Sequence, residues 1–464
     1  METHNIISYQ SLGAMRGLQL TYDSLRADPR PILNFGYSFF GDNPDRRLIA
    51  SLAVSRGAFQ LQLPGFAGEE YGLAGGEHFW NIPENGGPID AALQLDLRSM
   101  SSGQYNYSLR SGIRQFNGEI FAGASTETEG KLLNVNTINS PWGSGWGLAG
   151  LQKLVENPNG SVLLIDGDGS ELLFEASPLA TGAYMAPPGD FSKLERLADG
   201  TFRRTMKDET VYSFNSHNKL GLVTERNGNE TRYVYNGEQK LAKIIDPVGL
   251  ETTFSYSGGK VSAITDPAGR ITKLEYDAAG NLTQIEDPDG SARTWEYDSE
   301  HHIIAEVDKR NSREETLYDF AGRALSATQK DGKSLKVAPV QVRGLYRPEE
   351  TIDPFNAPVA FALGDAESSQ ADGNGNVKST ILDSAGQAVS ARDGGGFLPS
   401  VERNQENLVT DRTNGRGQVT EYEYDEKGNV ISISDEISGS GASEPPTGNT
   451  GELFACLRGL FSWV

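Results

Sequence analysis

The feature that most limits what this chain can fold into is a large aromatic residue recurring about every 21 positions. Phe214, Tyr235, Tyr256, Tyr276, Tyr297 and Tyr318 stand 21, 21, 20, 21 and 21 residues apart. Two positions before most of them sits a second large side chain: Tyr212, Tyr233, Phe254, Leu274 and Trp295, with Thr316 the one departure. Residues i and i+2 of a strand share a face, so each unit offers two large groups to one side. A fixed period of this kind marks a repeat architecture, in which each unit buries its apolar face against its neighbours.

A second short strand follows each anchor, with an apolar residue, another three positions on, and an acid two beyond. Leu220/Val223/Glu225, Leu241/Ile244/Asp246, Val261/Ile264/Asp266, Leu282/Ile285/Asp287 and Val430/Ile433/Asp435 fit; the Ile303 unit has Glu306 in the middle place. A spacing of three puts the apolar pair on opposite faces unless a bulge intervenes. The acid then opens a turn: Asp246-Pro247-Val248-Gly249, Asp266-Pro267-Ala268-Gly269 and Asp287-Pro288-Asp289-Gly290 have the Asp, Pro and Gly placement of a type I turn. About 21 residues therefore hold two strands and two turns, a hairpin too small to stand alone. The 54 glycines suit a chain with this many turns, and an all-β fold is expected.

The rest of the chain divides around this array. Residues 1–138 read as a β-sandwich-like N-terminal domain, from alternating runs such as Leu18–Tyr22, Phe59–Leu63, Leu93–Leu97 and Tyr105–Leu109. Residues 139–199 are a Gly/Trp-rich lead-in to the repeat sheet, and 200–332 are the repeats. An irregular interruption over 333–371 precedes further repeats over 372–437, whose clearest unit is anchored by Tyr424. Residues 438–464 read as a flexible linker and tail.

Charge and motifs exclude several functions. A formal net charge of −22 repels nucleic acid. No run reaches the roughly 18 apolar residues of a membrane span, and the N-terminus has no signal-peptide pattern. Export information for an extracellular protein would then lie elsewhere, as in a partial chain. The single cysteine, Cys456, precludes an intrachain disulfide framework. Gly145-Trp146-Gly147-Leu148-Ala149-Gly150 spells a dinucleotide fingerprint, but polar residues precede it where a buried strand belongs. No nucleophile elbow or phosphate-loop lysine is present, so no catalytic residue and no cofactor is expected. Asp166 and Asp168, with Asp372, Asn374 and Asn376, offer oxygen ligands at alternate positions, as calcium would require. Turn chemistry accounts for the same residues. His4, His78, His217, His301 and His302 lack zinc spacing and read as surface residues, the last two facing opposite sides of a strand. The tyrosine rows read as packing, with a glycan-binding groove as the alternative.

The units Tyr276-Asp277-Ala278-Ala279-Gly280-Asn281, Tyr318-Asp319-Phe320-Ala321-Gly322-Arg323 and Tyr424-Asp425-Glu426-Lys427-Gly428-Asn429 resemble the YD repeats of the Rhs, toxin-complex and teneurin families. Ser140-Pro141-Trp142-Gly143-Ser144-Gly145-Trp146-Gly147-Leu148 is similar to the motif that precedes those repeats in large bacterial members. The resemblance implies a spiralled antiparallel sheet that forms a hollow shell around a toxin, or supports cell adhesion. The family's C-terminal core and toxin tip have no match, so an open, curved shell segment is expected. Tyr235, Tyr256, Tyr276, Tyr297, Tyr318 and Tyr424 would be its structural anchors. The implied setting is extracellular or the bacterial cell surface, as part of a larger protein. The implied partners are the remaining parts of a shell or toxin, with cell-surface glycans or proteins as the alternative.

Overall fold

A computed structural model of the chain describes residues 2–39, 45–63, 76–82, 87–115, 125–319, 321–338, 345–346, 361–362, 366–382, 387–393, 396–397 and 400–435. The tail read over 438–464, with Cys456, lies outside these residues. Among the described residues the regular secondary structure is all strand except for one single-turn helix, α1 (Ser24–Ala27), capped by the Asp23 carboxylate.

One antiparallel sheet of 23 strands dominates the fold, and nearly all its strands neighbour each other in chain order. It starts at Lys153–Glu156, inside the segment read as a lead-in, because hairpin pairing begins before the tyrosine period does. The first strands roll up: the backbone of Lys153 bridges that of Lys219, and Leu154 N–H donates to the Asn218 carbonyl at 2.8 Å. Inside this coil lie Leu154, Leu164, Phe174, Leu194, Phe202, Phe214 and Leu220. The sheet is thus spiralled, as the repeats imply.

Every repeat hairpin resolves the spacing of three in the same way. Tyr276 pairs with Leu282 and Glu275 with Gln284, leaving Thr283 as an extra residue in a β-bulge. The bulge shifts the register so that Leu282 and Ile285 reach the same core despite their odd spacing. Ala242, Ser262 and Ile304 are the corresponding extra residues of the neighbouring hairpins. The turns also share one design. Gly249 N–H donates to the Asp246 carbonyl at 2.9 Å, Asp246 Oδ1 accepts from the Val248 and Leu250 amides, and Gly249 has φ +84°. This is a type I turn closed by a left-handed residue.

The interruption over 333–371 is an excursion from the sheet. Strand Ser334–Ala338 continues the array, and Ala366–Ala371 returns to pair beside it. Between them, Leu345–Tyr346 and Phe361–Ala362 pair with Gly87–Gln94 of the N-terminal region. The repeats from Ser400–Arg403 to Val430–Asp435 form a separate four-stranded sheet.

The N-terminal region differs from the expectation of one sandwich. Residues 32–134 do build facing sheets over Leu48, Leu52, Trp80, Leu93, Leu95 and Tyr105. The hairpin β1 (Glu2–Ser11) and β2 (Ala14–Tyr22) leaves that core and lies on the apolar face of the repeat sheet instead. A bulge at Ile6 lets Ile6 and Ile7 both bury there. Phe59, read as a core position, is 79% exposed on a three-residue strand.

Candidate functional site: the inner face of the repeat sheet

The tyrosine anchors form a ladder. The hydroxyl of Tyr235 donates to the Leu220 carbonyl, Tyr256 to Leu241, Tyr276 to Val261, Tyr297 to Leu282, Tyr318 to Ile303 and Tyr424 to Val409, at 2.6–3.1 Å. Each bond spans 15 residues and ties a unit to the first apolar residue of the preceding hairpin's second strand. Burial raises the phenol pKa of all six. The residue just before that apolar position covers the ring: Lys219, Lys240 and Lys260 place Nζ 5.5–6.0 Å from the centroids of Tyr235, Tyr256 and Tyr276. His302 stacks on Tyr318 at 4.8 Å. These covered rings leave little face for a sugar to stack on. The covering residue recurs in the sequence with the period of the anchors, a signal that the sequence reading missed.

The sheet's inner face is filled along much of its length by the chain itself. Ile6, Ile7, Leu20, Tyr22, Trp142 and Trp146 share one core with Leu241, Phe254, Val261, Leu274, Leu282 and Trp295. Trp146 lies 5.1 Å from Trp295, and its indole N–H donates to the Tyr297 hydroxyl at 2.9 Å. The glycines of the fingerprint-like motif serve close packing. A side chain at Gly145 would meet Tyr22 at 2.6 Å, and one at Gly147 the Gly167 carbonyl at 2.6 Å. That motif lies on a strand, Trp146–Leu148, paired with β2.

At the Ile303 and Tyr318 units the inner face turns polar, where the sequence replaces two large apolar residues by Glu306 and Thr316. Glu306 and Glu314 stand opposite each other on adjacent strands. With Glu2, His4, Arg293 and Lys330 they line a cavity of about 690 Å³ beside α1. The carboxyl of Glu306 is pushed up to about 8, by burial first and then by Glu2, against Lys330 and Arg293. Glu2, His4 and Glu306 bring their ligand atoms within 4.8 Å of one another. Arg293 Nη1 lies against His4 Nδ1, and His4 Nε2 is 2.5 Å from Glu2 Oε1.

The calcium candidates occupy two separate turns. Asp166 Oδ1 accepts from the Gly150 and Asp168 amides and Oδ2 from Gln152; Asp168 accepts from Ser170. Asp372 accepts from the Asn374 and Asn376 amides and from Asn376 Nδ2. All three carboxylates therefore serve as turn acceptors. The histidines depart from the surface reading. His4, His78 and His302 are buried, and His301 sits in the turn with φ +69° instead of on a strand. Burial lowers His78 to about 4. Burial would lower His302 too, but Asp28 at 3.4 Å and Asp298 at 2.9 Å raise it to about 9.

An iterated bulged hairpin with a tyrosine ladder defines a β-sheet repeat protein. The RHS Repeat family profile matches residues 257–292 and 276–313, so this stretch of the sheet carries repeats of the RHS type. No curated protein matches it. Among solved structures it is similar to TcdB2-TccC3-TEV, at 12% identity and a TM-score of 0.33, over 78% of this chain and 22% of that one. TcdB2-TccC3 without its hypervariable C-terminal region gives 12% and 0.34 over the same shares. The Photorhabdus luminescens Tc holotoxin pore gives 13% and 0.19, over 62% of this chain and 21% of that one. The chain spans about a fifth of the length of these matches. Among the described residues, no helix is long and apolar enough to cross a membrane.

Proposed function

We propose that the chain is a structural wall segment of a larger exported shell, of the toxin-enclosing or cell-surface type, without catalysis of its own. The observation that carries this reading is the continuous repeat sheet, whose polar groups are consumed in holding hairpin to hairpin. Phenols donate to backbone, turn carboxylates accept from backbone, and the ring faces are covered by cations. The inner face over 241–303 is occupied by the chain's own N-terminal hairpin, so cargo is enclosed by other parts of the shell. Its partners are then further sheet segments that extend the array, for which an unfilled strand edge is the natural joint.

Two measurements test this. Limited proteolysis of the full chain should leave one resistant core spanning about 153–338; rapid cutting between the tyrosines would refute the wall. Antibody labelling of intact cells of the source organism should find the chain outside the cytoplasm. Confinement to the cytoplasm would overturn the exported setting.

A further inference from the structure

A second cleft, of about 760 Å³, opens where the loop 98–102, the segment 139–153 and the repeats 219–259 meet. Its lining is basic in a chain of net charge −22: Lys153, Lys219 and Lys240 face one carboxylate, Glu238, while Arg98 at the rim is paired with Asp96. The topology builds this concentration. Lys219 and Lys240 hold the same repeat position in adjacent hairpins, about 10 Å apart across two strand spacings. The rolled-up sheet then brings Lys153 against Lys219, since their backbones bridge.

The three lysines are not equally engaged. Lys219 Nζ donates to the Gln239 carbonyl and lies over Tyr235; Lys240 Nζ donates to Glu238 at 2.8 Å and lies over Tyr256. Lys153 has no hydrogen bond or ion pair from its ammonium among the described residues. It meets water through the cleft, yet burial, with the charges of Arg26 and Lys219, lowers its pKa. An ammonium has three donors, so Lys153 retains three and its neighbours two each. A fold that gathers like charges at a backbone bridge leaves electrostatic repulsion for an anion to relieve.

We infer that this cleft binds a tetrahedral oxyanion, a phosphate or sulfate group, with Lys153 as its central contact and Lys219 and Lys240 flanking it. Such a group carries the charge and the acceptor oxygens that the free donors require. The site is independent of the wall reading, since it rests on the lining charges alone.

Calorimetric titration of the full chain with inorganic phosphate and with a sulfated disaccharide tests it. Saturable binding of either probe is expected, and the tighter of the two identifies a free ion or an ester as the natural ligand. Lys153→Gln should weaken binding at least tenfold, while Lys131→Gln, on the exposed N-terminal sheet, should leave it unchanged. Amine acetylation mapped by mass spectrometry gives a readout that needs no variant: Lys153 should react early, and the bound probe should protect it more than Lys131. No binding of either probe at 10 mM, binding that Lys153→Gln leaves within twofold, or equal protection of both lysines would overturn the assignment.

Discussion

At the scale of single residues, the tyrosine hydroxyl is what distinguishes this ladder from generic aromatic packing. Tyr297 both donates to the Leu282 carbonyl and accepts from the Trp146 indole. Tyr297→Phe leaves both partners without the hydroxyl in a buried site, at a cost of about 1–3 kcal/mol. Tyr424 makes the same carbonyl bond but is only half-buried, so water replaces the lost donor. Tyr424→Phe should therefore cost less than about 1 kcal/mol. Urea-denaturation midpoints of the two variants check this, and equal shifts would show that the second bond contributes nothing. The tyrosine spacing was legible in the sequence because large side chains at a fixed interval survive any turn composition. The hydroxyl's target was not, since a bond across 15 residues depends on how one hairpin is laid against the next.

At the scale of the element, the bulge and the left-handed turn residue hold each hairpin in register. Deleting Thr283 would remove the extra residue and turn either Leu282 or Ile285 away from the core. Losing one such side chain from a packed core costs about 2–5 kcal/mol. Hydrogen exchange in strands 271–276 and 282–286 should accelerate in the deletion variant, and unchanged protection there would disprove the role of the bulge. The turns predict a gain. Glu209 holds φ +71° where most repeats place glycine, and its exposed side chain has no hydrogen bond or ion pair among the described residues. Glu209→Gly should stabilise the hairpin 202–214 by up to about 1 kcal/mol, read as slower local exchange. Faster exchange would count against it. The sequence showed that a spacing of three demands either a bulge or two covered faces, and pairing decided for the bulge. It concealed the separate fate of the β1–β2 hairpin, because the alternation of Leu18–Tyr22 suits any apolar partner.

At the scale of the whole molecule, two protonated groups join the N-terminal region to the repeat sheet. His302 donates to Asp28 beside α1 and to Asp298 of its own turn, with Arg30 and Arg98 also near Asp28. Its pKa rises from 6.5 to about 9, so its contribution is complete below 6.5 and lost as pH climbs through 9. A shift of that size corresponds to on the order of 3 kcal/mol. Glu306 faces Glu2, His4, Arg293, Glu314 and Lys330, and its raised carboxyl likewise contributes below 4.5 and is lost as pH rises through about 8. Both groups therefore weaken the joint in alkali. Hydrogen exchange of β1 and β2 should accelerate between pH 7 and pH 9.5 while the strands 162–174 hold their protection. His302→Gln should raise the exchange at pH 7 and flatten its dependence above pH 8. Glu306→Gln, which keeps a neutral side chain at every pH, should preserve the docked hairpin further into alkali. If β1 and β2 exchange at the same rate at both pH values, once intrinsic chemistry is corrected for, these two protons do not hold the hairpin in place. The apolar contacts of Tyr22 and Trp146 would then hold it alone.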